Sequence, residues 1–462
     1  FQEMEQLSQY LETFNWFTLR SMFYVVTPGE TTYADVRDVP DYLDAAVPWM
    51  LVLIVLEFVF DPDRYAVNDT ITSINAGIAS LTFKFSGKTL SAALYPTVWS
   101  YVHLVNADLS ATWWCISFLT QDLAYYFAHR AVHEAGVFWS FHQMHHSSEY
   151  YNLSTALRQG AIQDLGTGLF DLAQALIIPP QLFYAHKSLN VLYQFWLHTE
   201  HVPHLGPLEY VFNTPSSHRV HHGRNPYCID KNYGATLIVW DRLFGTYAQE
   251  KTEEPVVYGL VSPVNTFDQF KLQFFEFKEL GYDKGQMKND KGEELFPGFW
   301  NKLKAALYPP GYFAGVSTKQ FFLWRCLTDS EDGIPQVDRQ TVVRFNPQIP
   351  IERMVYLIVQ GFFFIYCALP YVRERPRMGY FEAAAKLFSI FGMLQMFGYY
   401  FDNEDVVFAV TFDVVRTLYM IAISSCFDEQ FEVVFCSTML AFSLVVQCLS
   451  FWFRPPSKKR MD

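Results

Sequence analysis

Three stretches of this chain carry no Asp, Glu, Lys or Arg at all: Thr89–Ala107, Met354–Val372 and Val433–Phe453. Each approaches the roughly 20 residues a helix needs to cross a bilayer. A lipid interior leaves unsatisfied backbone no partner but itself, so such runs must be helical. Ala45–Phe60 is a shorter run with Glu57 near its end, while Ser110–Phe127 contains only Asp122 and Leu165–Ala185 only Asp171. The pattern predicts an all-α, polytopic membrane bundle. Charged residues make up 18% of the chain, against about 25% in soluble domains. A formal net charge of −13 repels nucleic acid and excludes it as a partner. The seven cysteines form no Cys-x2-Cys pair and mostly lie in apolar runs, so neither a disulfide framework nor a structural zinc site is expected.

The organisation follows the same punctuation. Residues 1–44 read as a polar, amphipathic segment outside the membrane, and 45–275 as a catalytic domain of apolar helices and histidine clusters. Residues 276–350 read as a polar cytosolic segment, 351–453 as C-terminal membrane helices, and 454–462 as a basic cytosolic tail. In the third apolar region Lys386 interrupts one segment, and Asp413 with Arg416 interrupts another; three apart on a helix, the last two are placed to pair. The basic tail favours a cytosolic C-terminus. Four spans back from it would put residues 206–350 in the cytosol as well, but would strand Arg373, Arg375 and Arg377 on the other side. Asn68-Asp69-Thr70 is a glycosylation sequon. Lys459-Arg460-Met461-Asp462 approximates a dilysine retrieval signal, with Arg at the second basic position, and equally suits a basic anchor for the last helix.

Nine of the thirteen histidines fall between His129 and His222: His129 and His133, then His142, His145 and His146, then His198, then His218, His221 and His222. Neutral imidazole is a common transition-metal ligand, and nine are too many for one ion, so two ions are expected. Residues three and four apart share a helix face, so each cluster should point its rings together. Gln194 lies one helical turn before His198 and is a candidate weak or water-mediated ligand. His103 and His186 read as satisfied polar or core residues. His201 and His204 sit beside Pro203, where a loop is expected. A nearly carboxylate-free set differs from the Glu-rich sites of bundle-type di-iron proteins. Imidazole suits several metals. A membrane location favours iron, because oxygen and lipid both concentrate there.

The His-x3-His and two His-x2-His-His motifs, set among membrane helices, resemble the fatty acid hydroxylase superfamily, which includes sterol desaturases. Asn232-Tyr233-Gly234 followed by Trp240-Asp241-Arg242-Leu243-Phe244-Gly245-Thr246 resembles the same group, and implies a segment that folds the cap beneath the metals. Four further segments resemble, more closely, the branch that cleaves alkylglycerol ethers: His142–Gln159, Tyr193–Glu200, Gly206–Glu209 and Asn213–Tyr233. That likeness runs from about residue 20 to about residue 275. It implies two iron ions held by the nine histidines, tetrahydrobiopterin as reductant, O2 as co-substrate, and a 1-O-alkylglycerol or lyso ether phospholipid as substrate. It implies an endoplasmic reticulum membrane enzyme with a cytosolic site, served by an external pterin-recycling system. Glu134 and Glu200, beside ligand histidines, are candidates either to orient a ring or to bind the pterin. No nicotinamide or flavin fingerprint is present, so electrons must come from outside the chain. Two other readings remain open here: a sterol or fatty-acyl hydroxylase or desaturase fed by cytochrome b5, and a non-enzymatic membrane metal-binding protein.

Overall fold

The computed structural model describes residues 12–86, 90–313, 334–403, 405–427 and 433–442. Among the described residues all regular structure is helical, apart from three isolated antiparallel bridges. The chain divides into two compact units: Phe1–Val264 with Gln273–Arg344, and Asn265–Leu272 with Phe345–Asp462. The described parts of the polar stretch 276–344 therefore fold with the histidine-bearing unit. The basic tail, and the end of the run expected at Val433–Phe453, lie outside the described residues.

Among the described residues three helices are long and apolar enough to cross a membrane. The first is Tyr42–Phe60, started by Asp41, whose carboxylate accepts from the backbone N–H groups of Leu43 and Asp44. One stripe of this helix, Ala46, Met50 and Ile54, packs against Leu189 and Leu192, while Val55, Val59 and Phe60 are exposed, as a lipid-facing surface requires. Glu57 breaks the apolar run for a structural reason. It is buried, and it accepts from the Tyr65 hydroxyl, the Leu153 N–H at 2.7 Å and the Thr199 hydroxyl. Charge-assisted bonds of this kind stabilise by about 1.5–3 kcal/mol each, so one carboxylate ties the membrane helix to the loops that carry the histidines.

The other expected apolar runs of this unit break up. The stretch Thr89–Ala107 yields the helix Leu90–Val102, only 13 residues long. Leu165–Ala185 is split into Asp164–Gln174 and Pro180–Tyr193, because Pro179 and Pro180 cannot continue a helix and Pro180 instead starts the next one. Ser110–Phe127 becomes part of Ala111–Glu134, whose buried face is polar: Ser117, Gln121, Asp122, His129, Arg130 and His133. Asp122, the one charge in that run, accepts from Asn190, from the Thr236 and Leu237 N–H groups and from the Trp240 indole. The sequon lies in the helix Val67–Ser86, where Asn68 is 2% exposed, so the folded chain cannot present it for glycosylation.

In the second unit Ile351–Glu374, Tyr380–Asp402 and Val406–Cys426 succeed one another. The first and last of these are both long and apolar enough to cross a membrane. Asp413 and Arg416 do pair, at 2.6 Å, inside Val406–Cys426. Tyr356 and Tyr400 also donate to the Asp413 carboxylate. Gly398 allows the segment at Asp268 to approach: a Cβ there would stand 2.5 Å from the Asp268 Cα.

Candidate metal centre

All nine clustered histidines are buried in the first unit. His129 and His133 come from the last turn and a half of Ala111–Glu134. His142 caps the one-turn helix Gln143–His146, which supplies His145 and His146. His198 ends the turn Phe195–Leu197. The helix Pro215–His221 carries His218 and His221, and His222 closes it.

These rings form two groups whose donor atoms lie within 4.8 Å of one another: His129, His133, His142, His146 and His221 in one, and His145, His198, His218 and His222 in the other. The expectation that each cluster points its rings together holds for His129 and His133 only. His142 and His146, four apart, serve the first group, while His145 turns to the second. The last cluster reverses this: His218 and His222 serve the second group and His221 the first. The reason is the helical angle of about 100° per residue, which separates neighbours such as His145 and His146 while keeping residues four apart aligned.

Backbone carbonyls fix which ring nitrogen is bare. The Nδ1 atoms of His129, His145, His198 and His221 lie 2.8–2.9 Å from the carbonyl oxygens of Tyr233, Arg158, Gln194 and Lys231. A carbonyl only accepts, so each Nδ1 carries the proton and each Nε2 offers a lone pair. Yet the Nε2 atoms of His145 and His198 face each other at 3.2 Å, and His218 Nε2 is 3.2 Å from His198 Nε2. In the first group His129 and His142 Nε2 are 3.1 Å apart. Two bare lone pairs that close repel unless a cation lies between them. Burial lowers the pKa of His145 to about 4 and holds that of His198 well below the ordinary imidazole value, so at neutral pH the cation is not a proton. A metal with nitrogen ligands at about 2.0–2.1 Å sets neighbouring donors roughly 2.9–3.4 Å apart, which matches. The Nε2 atoms of His133, His146, His221 and His222 are buried without a hydrogen-bond partner. The donor set therefore fits two transition-metal ions.

Surrounding residues hold this frame. The Asp241 carboxylate accepts from the Tyr233 and Gly234 N–H groups at 2.8 Å each and from the Thr246 hydroxyl at 2.7 Å. It thereby fixes the loop whose Tyr233 carbonyl orients His129. Gly245, at φ 76°, ends the helix that carries Asp241. Arg158, whose carbonyl orients His145, is fully buried and paired with Asp69 at 2.5 Å. Sequence reasoning did not single out Arg158 or Asp69, because both stand among polar neighbours and 89 residues apart, so nothing in the sequence marks them as a pair.

The remaining candidates sit apart from the two groups. Gln194 engages its side chain elsewhere: its Oε1 accepts from Tyr125 at 2.6 Å and its amide nitrogen donates to the Asn190 carbonyl. Only its main-chain carbonyl serves the site, through His198. Glu134 is buried. One oxygen accepts from Arg130 and Tyr233, the other has no partner, and burial raises its pKa to about 7. Glu200 is held by Arg64, by Arg339 at 2.8 Å and by the Tyr258 hydroxyl at 2.7 Å. His186 is buried against the Tyr24 hydroxyl, and His103 bonds the Trp99 carbonyl. His201 is exposed, 3.8 Å from Asp61, and His204 pairs with Glu209.

Membrane-length helices joined to a buried double histidine centre define a membrane monooxygenase of the fatty acid hydroxylase type, and the fatty acid hydroxylase family model matches residues 114–246. The chain is 43% identical to an alkylglycerol monooxygenase of Caenorhabditis elegans over 392 residues, 84% of this chain and 77% of that protein. It is 43% identical to the Xenopus tropicalis protein of that name over 302 residues and 42% identical to the Homo sapiens one over 304. Each of these two matches covers 64% of this chain and 65% of the relative. The chain belongs to the alkylglycerol monooxygenase family. No solved structure matches it.

Proposed function

We propose that this enzyme cleaves the ether bond of 1-O-alkylglycerols and lyso ether phospholipids, using O2 and tetrahydrobiopterin. His129, His133, His142, His146 and His221 would hold one iron ion, and His145, His198, His218 and His222 the other. The observation that carries the reading is the pair of inward-facing, unprotonated Nε2 clusters, in a chain whose named relatives are alkylglycerol monooxygenases. When bound, the iron pair with electrons from the pterin supplies the oxidising power to insert one oxygen atom of O2 into a C–H bond, the other leaving as water.

The chain's own part is to position and to shield. Burial of all nine rings keeps bulk water from the centre and keeps the imidazoles neutral, the form in which they ligate. Holding the ether-linked carbon beside this centre supplies much of the rate. Hydroxylation there gives a hemiacetal. Its hydroxyl proton passes to the departing glycerol oxygen as the C–O bond breaks, and a fatty aldehyde and a free glycerol hydroxyl result. Glu134, with one buried oxygen lacking a partner, is the better of the two carboxylates to accept the pterin's N–H groups, since Glu200 is occupied by two arginines and a tyrosine. The reading includes an endoplasmic reticulum location, a cytosolic centre and pterin recycling by other proteins.

Purified protein given 1-O-hexadecylglycerol, O2 and tetrahydrobiopterin should release hexadecanal. Turnover of a sterol or acyl lipid with reduced cytochrome b5, and none with the pterin, would assign it to the other oxidase branch. Bound metal without oxygen consumption would favour a metal-binding protein.

A further inference from the structure

A second feature of the first unit, a cluster of arginines, lies outside the two histidine groups. Arg224, Arg339 and Arg344 converge on an open notch that also touches Glu149, Tyr258 and three valines. Arg224 is 5% exposed. Its Nη1 donates to the Leu260 carbonyl at 3.1 Å and its Nη2 stands 3.8 Å from the Glu149 carboxylate, but its buried Nε has no acceptor. A buried guanidinium N–H without a partner is costly. Arg344 stacks over the Tyr150 ring at 4.8 Å. Arg339 is balanced by Glu200, and Arg64, the other arginine on Glu200, has Asp61 as well. Arg344 also feels Asp69, but that carboxylate is paired with Arg158, so Glu149 alone lines the notch against Arg224 and Arg344 and about one positive charge is left uncompensated.

A planar guanidinium pair with a single surplus charge matches a singly charged phosphodiester. Position also fits. Tyr258 lines the notch and stacks on Tyr151 at 4.6 Å; Tyr151 in turn lies 5.3 Å from His222 and 5.7 Å from His198.

We propose that the notch of Arg224, Arg339 and Arg344 binds the phosphate of a lyso ether phospholipid, and so sets head-group preference. This rests on the ether-cleaving reading above. The test compares 1-O-hexadecylglycero-3-phosphocholine with neutral 1-O-hexadecylglycerol in the same micelles. Arg344→Gln, at a partly exposed position, should lower the ratio of kcat/KM for the phospholipid to that for the neutral lipid by about tenfold, through KM, the size of one charge-assisted hydrogen bond. Arg224→Lys, which keeps the charge but not the fork, should lower the same ratio. A ratio unchanged in both variants, with metal content intact, overturns the assignment. Inorganic phosphate should compete with the phospholipid only; equal inhibition of the neutral lipid would make the notch a free-phosphate site and overturn the head-group role. If the wild-type enzyme cleaves neither lipid, the ether-cleaving reading fails on its own. Binding of hexadecyl phosphate against hexadecanol then decides the notch: preference for the phosphate that Arg344→Gln abolishes supports it, and equal binding removes it.

Discussion

Two buried polar clusters in this molecule differ in how they are closed. In the second unit the Asp413 carboxylate meets Arg416, Tyr356 and Tyr400, so charge and donors are answered by side chains of the same unit. In the first unit nine imidazoles turn bare nitrogens toward one another, and four Nε2 atoms have no partner at all. A cluster that satisfies itself is structure. A cluster that can be satisfied only by a cation is a site. Buried polarity alone would not have separated the two.

The comparison breaks most sharply at His145. His145→Ala should abolish aldehyde formation and lower bound metal, read by elemental analysis of folded protein; normal metal and turnover would remove His145 from the ligand set. Next is Asp413→Ala, which strands Arg416 in the protein interior. It should cost about 3–5 kcal/mol, while Asp413→Leu with Arg416→Leu should be nearly neutral. Denaturation in detergent distinguishes them, and equal losses would show that the pair does more than close on itself. A smaller effect is expected of Asp241→Asn, which weakens the bonds that hold the Tyr233 carbonyl against His129. Metal affinity should drop roughly 10–100-fold, measured by chelator competition, and an unchanged affinity would show that the loop is held without it. Smallest is His201→Ala, at an exposed ring outside both groups, which should leave metal content and turnover unchanged. Loss of metal there, with His198→Ala retaining it, would exchange the two assignments.

The density of histidines and the uncharged runs made the class of centre and the helical membrane architecture legible in the sequence. What was not legible is instructive. The division of His145 from His146, and of His221 from His222, depends on where one-turn helices start, which side-chain spacing alone leaves open. The four carbonyl partners are invisible because backbone atoms leave no mark on composition. Glu57 and Asp122 looked like interruptions of apolar runs, and Asp69 stood only within a glycosylation sequon. Each proved to be a carboxylate anchoring distant segments. The run Thr89–Ala107 promised a full span, yet it yields only the short helix Leu90–Val102.

The interleaving of the two histidine groups has a consequence for how the centre assembles. The segments 142–146 and 218–222 each contribute rings to both groups, and on the proposed assignment each would hold both ions, like two hands each holding both ends of a rope. Seating the first ion orders both short helices and so prepays the ordering entropy of the second. Loading should therefore be close to all-or-none, with sparse one-metal protein during titration. By the same logic, inserting one residue within His142–His146 would exchange which ion each ring addresses, so a local length change would disable both positions at once.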